Sequence, residues 1–302
     1  MGHDKLRKFA ENETFKCLLQ PSAEEALADG FFNLRDHEIK GHWNERMFDA
    51  PRPIVLELGC GKGEYTIDLA LRNPGCNYIG VDIKGARLWK GAKYATQNHL
   101  GNVAFLRTRI EFITAYFAPG EVSEIWLTFS DPQFRSENSR LTSPMFLERY
   151  RSFMNPGGIV HLKTDSMFLH RYSRAVAECN GLRVLGCTED LYGTPREALA
   201  MPQANLGPSL SRAEGGTSLQ DPLPSTLSAE TVGALYEVQT FYEKMFLEQG
   251  YKITYLSFVI DHDGPFVHPD FDEEYWRSVE GPRLLFGHDS AETRRQKLRP
   301  QG

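Results

Sequence analysis

Excess positive charge, paired cysteines and long apolar runs are all missing from this chain of 302 residues. Asp and Glu number 40 against 34 Lys and Arg, a formal net charge of −6. Bulk charge therefore cannot hold a polyanion, and any such partner has to meet a local basic face. Cys17, Cys60, Cys76, Cys179 and Cys187 are odd in number and scattered, with no C-x-x-C pair, which argues against a disulfide framework or a zinc site. No metal is expected. No stretch reaches the roughly 18 apolar residues of a membrane span, and the opening MGHDKLRKFAENETFK lacks the apolar core of a secretion signal. The expectation is a cytoplasmic, membrane-free protein with reduced thiols, monomeric or homodimeric. No internal repeat is visible.

What is present is organised around Pro53–Tyr65, PIVLELGCGKGEY. Ile54–Leu58 is apolar except for Glu57, the pattern of a strand buried on both faces of a parallel sheet. Gly59, Gly61 and Gly63 follow at once, and helical spacing begins at Glu64, so helix-start amides would face a bound molecule. The dinucleotide fingerprint G-x-G-x-x-G would need glycine at 64, where the chain has Glu64. The spacing is G-x-G-x-G instead. A second acid, Asp82, ends the next apolar run, Tyr78–Asp82. A nicotinamide-dependent Rossmann enzyme is thereby disfavoured, and a structural glycine turn with two incidental acids is the plain alternative.

Residues 1–52 have few periodic apolar positions and read as an irregular arm packed on the core, with aromatics that include Phe31 and Phe32 and basic Lys5, Arg7 and Lys8. Strands are expected at Val103–Arg107, Ile125–Phe129, Ile159–Lys163, Leu182–Cys187 and Lys252–Ile260, with helices at Gly85–Leu100, Pro144–Met154, Met167–Cys179 and Ala234–Gln249. With the first two strands this makes an α/β, doubly wound, seven-stranded and mostly parallel sheet, whose ligands sit at the carboxyl ends of the strands. Ser130–Arg135 and Thr164–Asp165 then fall on the ligand rim. Lys84, Arg87, Lys90 and Lys93 share one helical face, either solvated or anion-facing. Proline, serine and glycine crowd 188–232, which reads as a low-complexity insertion in a core of 53–260, and 261–302 reads as an acidic, aromatic tail ending in basic residues.

The glycine turn with Glu57 and Asp82 resembles the S-adenosylmethionine site of class I methyltransferases, a Rossmann-like fold with an antiparallel last strand. The rim narrows the resemblance. Phe129-Ser130-Asp131-Pro132, Arg140-Leu141, Phe146-Leu147, Gly157-Gly158, Leu162-Lys163-Thr164-Asp165 and Thr240-Phe241-Tyr242-Glu243 together are similar to the bacterial tRNA (guanine-N7-)methyltransferase family, from about Trp43 to Tyr255. That resemblance implies tRNA as partner and S-adenosylmethionine as cofactor, with S-adenosylhomocysteine as product and a variable-loop guanosine as target. It puts Glu57, Gly59, Gly61, Gly63, Asp82, Arg109 and Asp131 on the cofactor, and makes Asp131 the residue beside the chemistry. It puts Arg135, Asp165, Thr240 and Glu243 on the RNA. The chain departs from the pattern at Ser130, at Gln133-Phe134, in the thinned basic segment Arg135–Arg140 and at Arg109, where many members carry an acid. Other substrates stay open: a methyltransferase acting on a small molecule or protein, or a non-catalytic RNA-binding relative.

Overall fold

The structure, a computed structural model, describes residues 2–28, 33–200 and 226–280. Phe31, Phe32, the middle of the expected insertion and the basic carboxyl end lie outside the described residues. In chain order the elements are α1 (Gly2–Asn12), β1 (Leu18–Leu19), α2 (Ala23–Ala26), α3 (Trp43–Arg46), β2 (Ile54–Leu58), α4 (Glu64–Arg72), β3 (Asn77–Asp82), α5 (Gly85–Gln97) and β4 (Val103–Arg107). They continue with β5 (Val122–Thr128), α6 (Pro144–Arg151), β6 (Met154–Thr164), α7 (Met167–Cys179), β7 (Val184–Thr188), α8 (Arg196–Ala200), α9 (Ala229–Glu237), α10 (Phe241–Glu248), β8 (Thr254–Val259) and α11 (Glu273–Glu280).

The sheet order is β1-β4-β3-β2-β5-β6-β8-β7. Every neighbouring pair from β1 to β6 runs parallel, while β8 lies antiparallel to both β6 and β7. The apolar run of β2 is buried at all five positions because helices cover both faces of the sheet, and it sits centrally between β3 and β5. The fold is the doubly wound α/β sheet expected, with the antiparallel last strand in place. An eighth strand, Leu18–Leu19, extends the edge beside β4, its register with Phe105 and Leu106 set by only two residues. Two residues carry no readable period, so the sequence pattern by itself shows seven strands.

Three local differences follow from tertiary packing. The arm before residue 53 opens with a regular helix, α1, held against α5 by Asn12 Nδ2 donating to the Gly85 carbonyl (2.9 Å) and by the Trp89 indole donating to Glu11 (2.7 Å). Its cations are largely paired within the arm, Arg7 with Asp4 and Glu11 and Lys8 with Asp4. The helix expected over Ala234–Gln249 is two helices, broken at Val238–Thr240, because Thr240 caps a new helix by accepting from the Glu243 amide (3.2 Å). The flanks of the 188–232 segment are packed, with Leu191, Leu199, Leu227 and Val232 all buried. Trp43, fully buried, donates to the Tyr116 carbonyl (2.8 Å) and stacks on Phe117.

Candidate active site

The turn after β2 is built from three glycines with positive φ, at 82°, 57° and 71° for Gly59, Gly61 and Gly63. A Cβ on Gly63 would come 2.6 Å from the Phe105 ring, so this position requires glycine for space as well as for conformation. At Gly59 and Gly61 a Cβ would meet nothing within 4 Å. The backbone there faces open volume, as a cradle for a close-lying ligand does. Gly59 and Cys60 donate to the Val81 carbonyl (2.8 and 3.0 Å), which draws the turn against the end of β3.

Asp82 ends β3 and binds the turn directly. Its Oδ2 accepts from the Gly61 amide (3.0 Å) and its Oδ1 from the Lys84 amide (2.7 Å). Glu57 behaves differently. Buried within the sheet, it accepts from the Thr66 amide (2.8 Å), the Thr66 hydroxyl and the Thr128 hydroxyl (2.6 Å), bracing the glycine turn from behind. Burial pushes its carboxyl up to about 7 despite hydrogen bonds from Thr128 and Thr66, and Asp82 adds to the rise.

A cleft of about 550 Å³ opens at these strand ends. Gly59, Asp82, Arg109, Phe129, Ser130 and Asp131 line it, and so do Lys84 and Arg87. Arg109 follows β4 and pairs with Glu111 (3.1 Å). Asp131 is exposed at the rim, its Oδ1 held by the Gln133 amide (2.9 Å). On either side of it Phe129 and Gln133 take left-handed backbone, at φ of 53° and 50°. Strain of that kind at a rim is tolerated where the surrounding packing enforces it, and it aims the intervening loop into the cleft. Asp165 lies on the adjacent strand end: Thr128 of β5 pairs with Lys163 of β6, and the Phe129 amide donates to the Lys163 carbonyl (2.9 Å).

Lys163, part of the rim motif but given no role by the sequence pattern, is a buried ion-pair partner of Glu243. It is 0% exposed, its Nζ donates to the Leu235 and Val238 carbonyls (2.7 and 3.1 Å), and it pairs with Glu243 Oε1 at 2.8 Å. Burial pulls its ammonium below the usual lysine range, opposed by the Glu243 charge. Tyr192 also donates to Glu243 (2.7 Å). Thr240 and Glu243 are thus occupied inside the fold, as helix cap and as counter-ion, and neither lines the cleft. A lysine closing the buried-strand run Ile159–Lys163, in which His161 is the other polar residue, is the available signal.

The expected basic face divides. Arg135 is exposed beside Phe134, which packs on Phe168. Arg140 is fully buried, 2.9 Å from Glu273 and stacked over Tyr172 and Phe168, so it offers no charge at the surface in this structure. Lys90 pairs with Glu64 (3.0 Å) and Lys93 with Glu11 (3.4 Å). Among the described residues no cluster of His, Cys, Asp or Glu could hold a metal.

A G-x-G-x-G cradle on the central strand, an acid closing the next strand and an antiparallel last strand define the class I methyltransferase fold. Residues 51–199 match a family model described as "Putative methyltransferase". The chain is 44% identical over 262 residues to a tRNA (guanine-N(7)-)-methyltransferase of Christiangramia forsetii, covering 85% of this chain and 98% of that protein. It is 40% identical over 274 residues to the Bacteroides thetaiotaomicron protein of that name, covering 91% of this chain and 92% of that protein. The Porphyromonas gingivalis protein of the same name is 42% identical over 237 residues, covering 78% and 83%. The chain belongs to the tRNA (guanine-N(7)-)-methyltransferase family.

Proposed function

We propose that this protein transfers a methyl group from S-adenosylmethionine to N7 of a guanine in tRNA. The observation that carries the proposal is the convergence, at one cleft in a member of this family, of the open glycine cradle, Asp82 and Asp131. The cradle fits the cofactor chemically: Gly59 and Gly61 leave space for it, and Asp82 supplies acceptor oxygens suited to ribose hydroxyls. When bound, the cofactor supplies an electrophilic methyl group on a sulfonium.

Guanine N7 presents a lone pair on the major-groove edge, so no residue has to remove a proton from the attacking atom. The protein's work is alignment and charge. Asp131, fixed by the Gln133 amide at the cleft rim, places an anion beside a purine that becomes cationic as the methyl arrives. Asp165, on the neighbouring strand end, is the acceptor for the N1–H and N2–H edge of the base. Arg135, exposed next to this rim, is a phosphate contact that positions the RNA without reading it. The target is the variable-loop guanosine of the family resemblance.

Incubation of bulk unmodified tRNA with labelled S-adenosylmethionine, followed by nucleoside analysis, tests the reading. Label in 7-methylguanosine is expected. Label in protein or in a small molecule, with none in tRNA at any salt concentration, would replace this substrate with another while leaving the fold as described.

A further inference from the structure

The segment after β8 runs back along α7, from the carboxyl end of that helix at Asn180 to its first turn at Phe168, and ends in α11, sequence EEYWRSVE. Its route is pinned at several points. Arg151 donates to the His262 and Gly264 carbonyls, the Val267 amide donates to Asn180 (2.7 Å), and Phe271 packs edge-on against Phe168 and Tyr172. Two carboxylates of α11 then take positive seats. Glu273 stands 2.9 Å from Nη1 of the buried Arg140, and Glu280 accepts from the Phe168 amide (2.8 Å) in the first turn of α7.

Both seats suit a phosphate. The first turn of α7, a thirteen-residue helix capped by Ser166 two residues before Phe168, points the positive end of its dipole outward; Ser166 already takes the Leu169 amide (3.1 Å), and the Phe168 amide is the one that Glu280 occupies. Arg140 belongs to the segment that the family resemblance makes RNA-facing. It is buried, and among the described residues none of its three guanidinium nitrogens has a partner in hydrogen-bond geometry; the Glu273 charge and two aromatic faces hold it. A fork-shaped cation normally makes paired hydrogen bonds to a carboxylate or phosphate, so Glu273 is a poor fit for this seat. Trp276 closes the cover by lying over Arg171, which also pairs with Glu189.

We propose that Arg140 and the first turn of α7 form an RNA phosphate site, and that α11 is a tethered acidic competitor which the RNA backbone displaces. This rests on the tRNA reading above. It explains how a chain of net charge −6 with a thinned basic segment meets a polyanion: the cation is stored under a carboxylate helix rather than exposed. Because the competitor is covalently attached, its effective concentration is high and it acts as a constant tax on RNA affinity.

The test uses the full chain with Glu273→Gln and Glu280→Gln combined, which keeps size and an acceptor oxygen but removes both charges. The KM for tRNA is expected to fall by about threefold to tenfold, at unchanged kcat and unchanged S-adenosylmethionine affinity. In the unaltered protein, amide hydrogen exchange over residues 273–280 is expected to speed up on adding saturating tRNA, a readout independent of how well the variant folds. An unchanged or higher KM in a folded variant, or slower exchange in α11 with tRNA, overturns the proposal. If the parent methylates no tRNA, the functional reading falls as well; if it does and α11 becomes protected, only the displacement falls.

Discussion

Removing the charge of Glu57 while keeping its shape should stabilise the cofactor-free protein at alkaline pH and leave it unchanged in acid. Glu57 is 3% exposed, among the described residues its hydrogen-bond partners are Thr66 and Thr128 and no cation pairs with it, and burial raises its folded pKa to about 7 against an ordinary 4.5. Between those two values the folded state binds more protons than the unfolded state, so stability contributed by this group declines as pH rises from 4.5 to 7. The decline is complete above 7 and absent below 4.5. A difference of 2.5 pKa units corresponds to about 3 kcal/mol. In Glu57→Gln the amide oxygen can still accept from Thr66, and the amide nitrogen can donate to the Thr128 hydroxyl, so the turn keeps its brace. Urea denaturation at pH 8 should therefore show a gain of about 1–3 kcal/mol over the parent, shrinking to nothing near pH 4.5. Parallel stability curves for the two proteins, or a variant less stable at every pH, would show that Glu57 pays no desolvation cost and that a compensating charge sits near it.

Asp82→Asn should weaken S-adenosylmethionine binding by about 1–3 kcal/mol in calorimetry, the scale of a lost charge-assisted hydrogen bond, and unchanged affinity would place the ribose elsewhere. Asp131→Asn keeps an acceptor for the Gln133 amide but removes the anion, so kcat should drop at saturating tRNA with little change in the KM for tRNA. Lys163→Met leaves Glu243 buried without its cation and should cost about 3–5 kcal/mol in urea denaturation, whereas Lys163→Met combined with Glu243→Leu should recover most of that loss. Failure of the double variant to recover would mean that the Leu235 and Val238 carbonyls, rather than Glu243, make the lysine necessary.

The central unit was legible because it is local. A buried strand, three glycines that must take positive φ and a helix start follow one another within Ile54–Arg72, and each is dictated by its own residues and immediate neighbours. The strand ends of a parallel sheet share one rim, so placing Asp82, Asp131 and Asp165 at strand ends along it needed only the order of the elements. Identical residue types then diverge by environment. Glu57 and Asp82 are both acids flanking one turn, yet Glu57 braces it from inside the sheet while Asp82 lines the cleft.

From its own spacing the chain determined the sheet, the glycine cradle and the rim acids, since periodicity and backbone restrictions operate over a few residues. Only the tertiary structure decided which charges are available. Arg135 and Arg140 are five positions apart in one segment, but one is exposed and the other lies under α11 against Glu273 from more than a hundred residues away. Lys163 and Glu243 become a pair because antiparallel β8 returns the chain beside β6, bringing α10 over that strand's end. The cost of burying a charge depends on everything packed around it, and those neighbours come from segments that no local pattern connects.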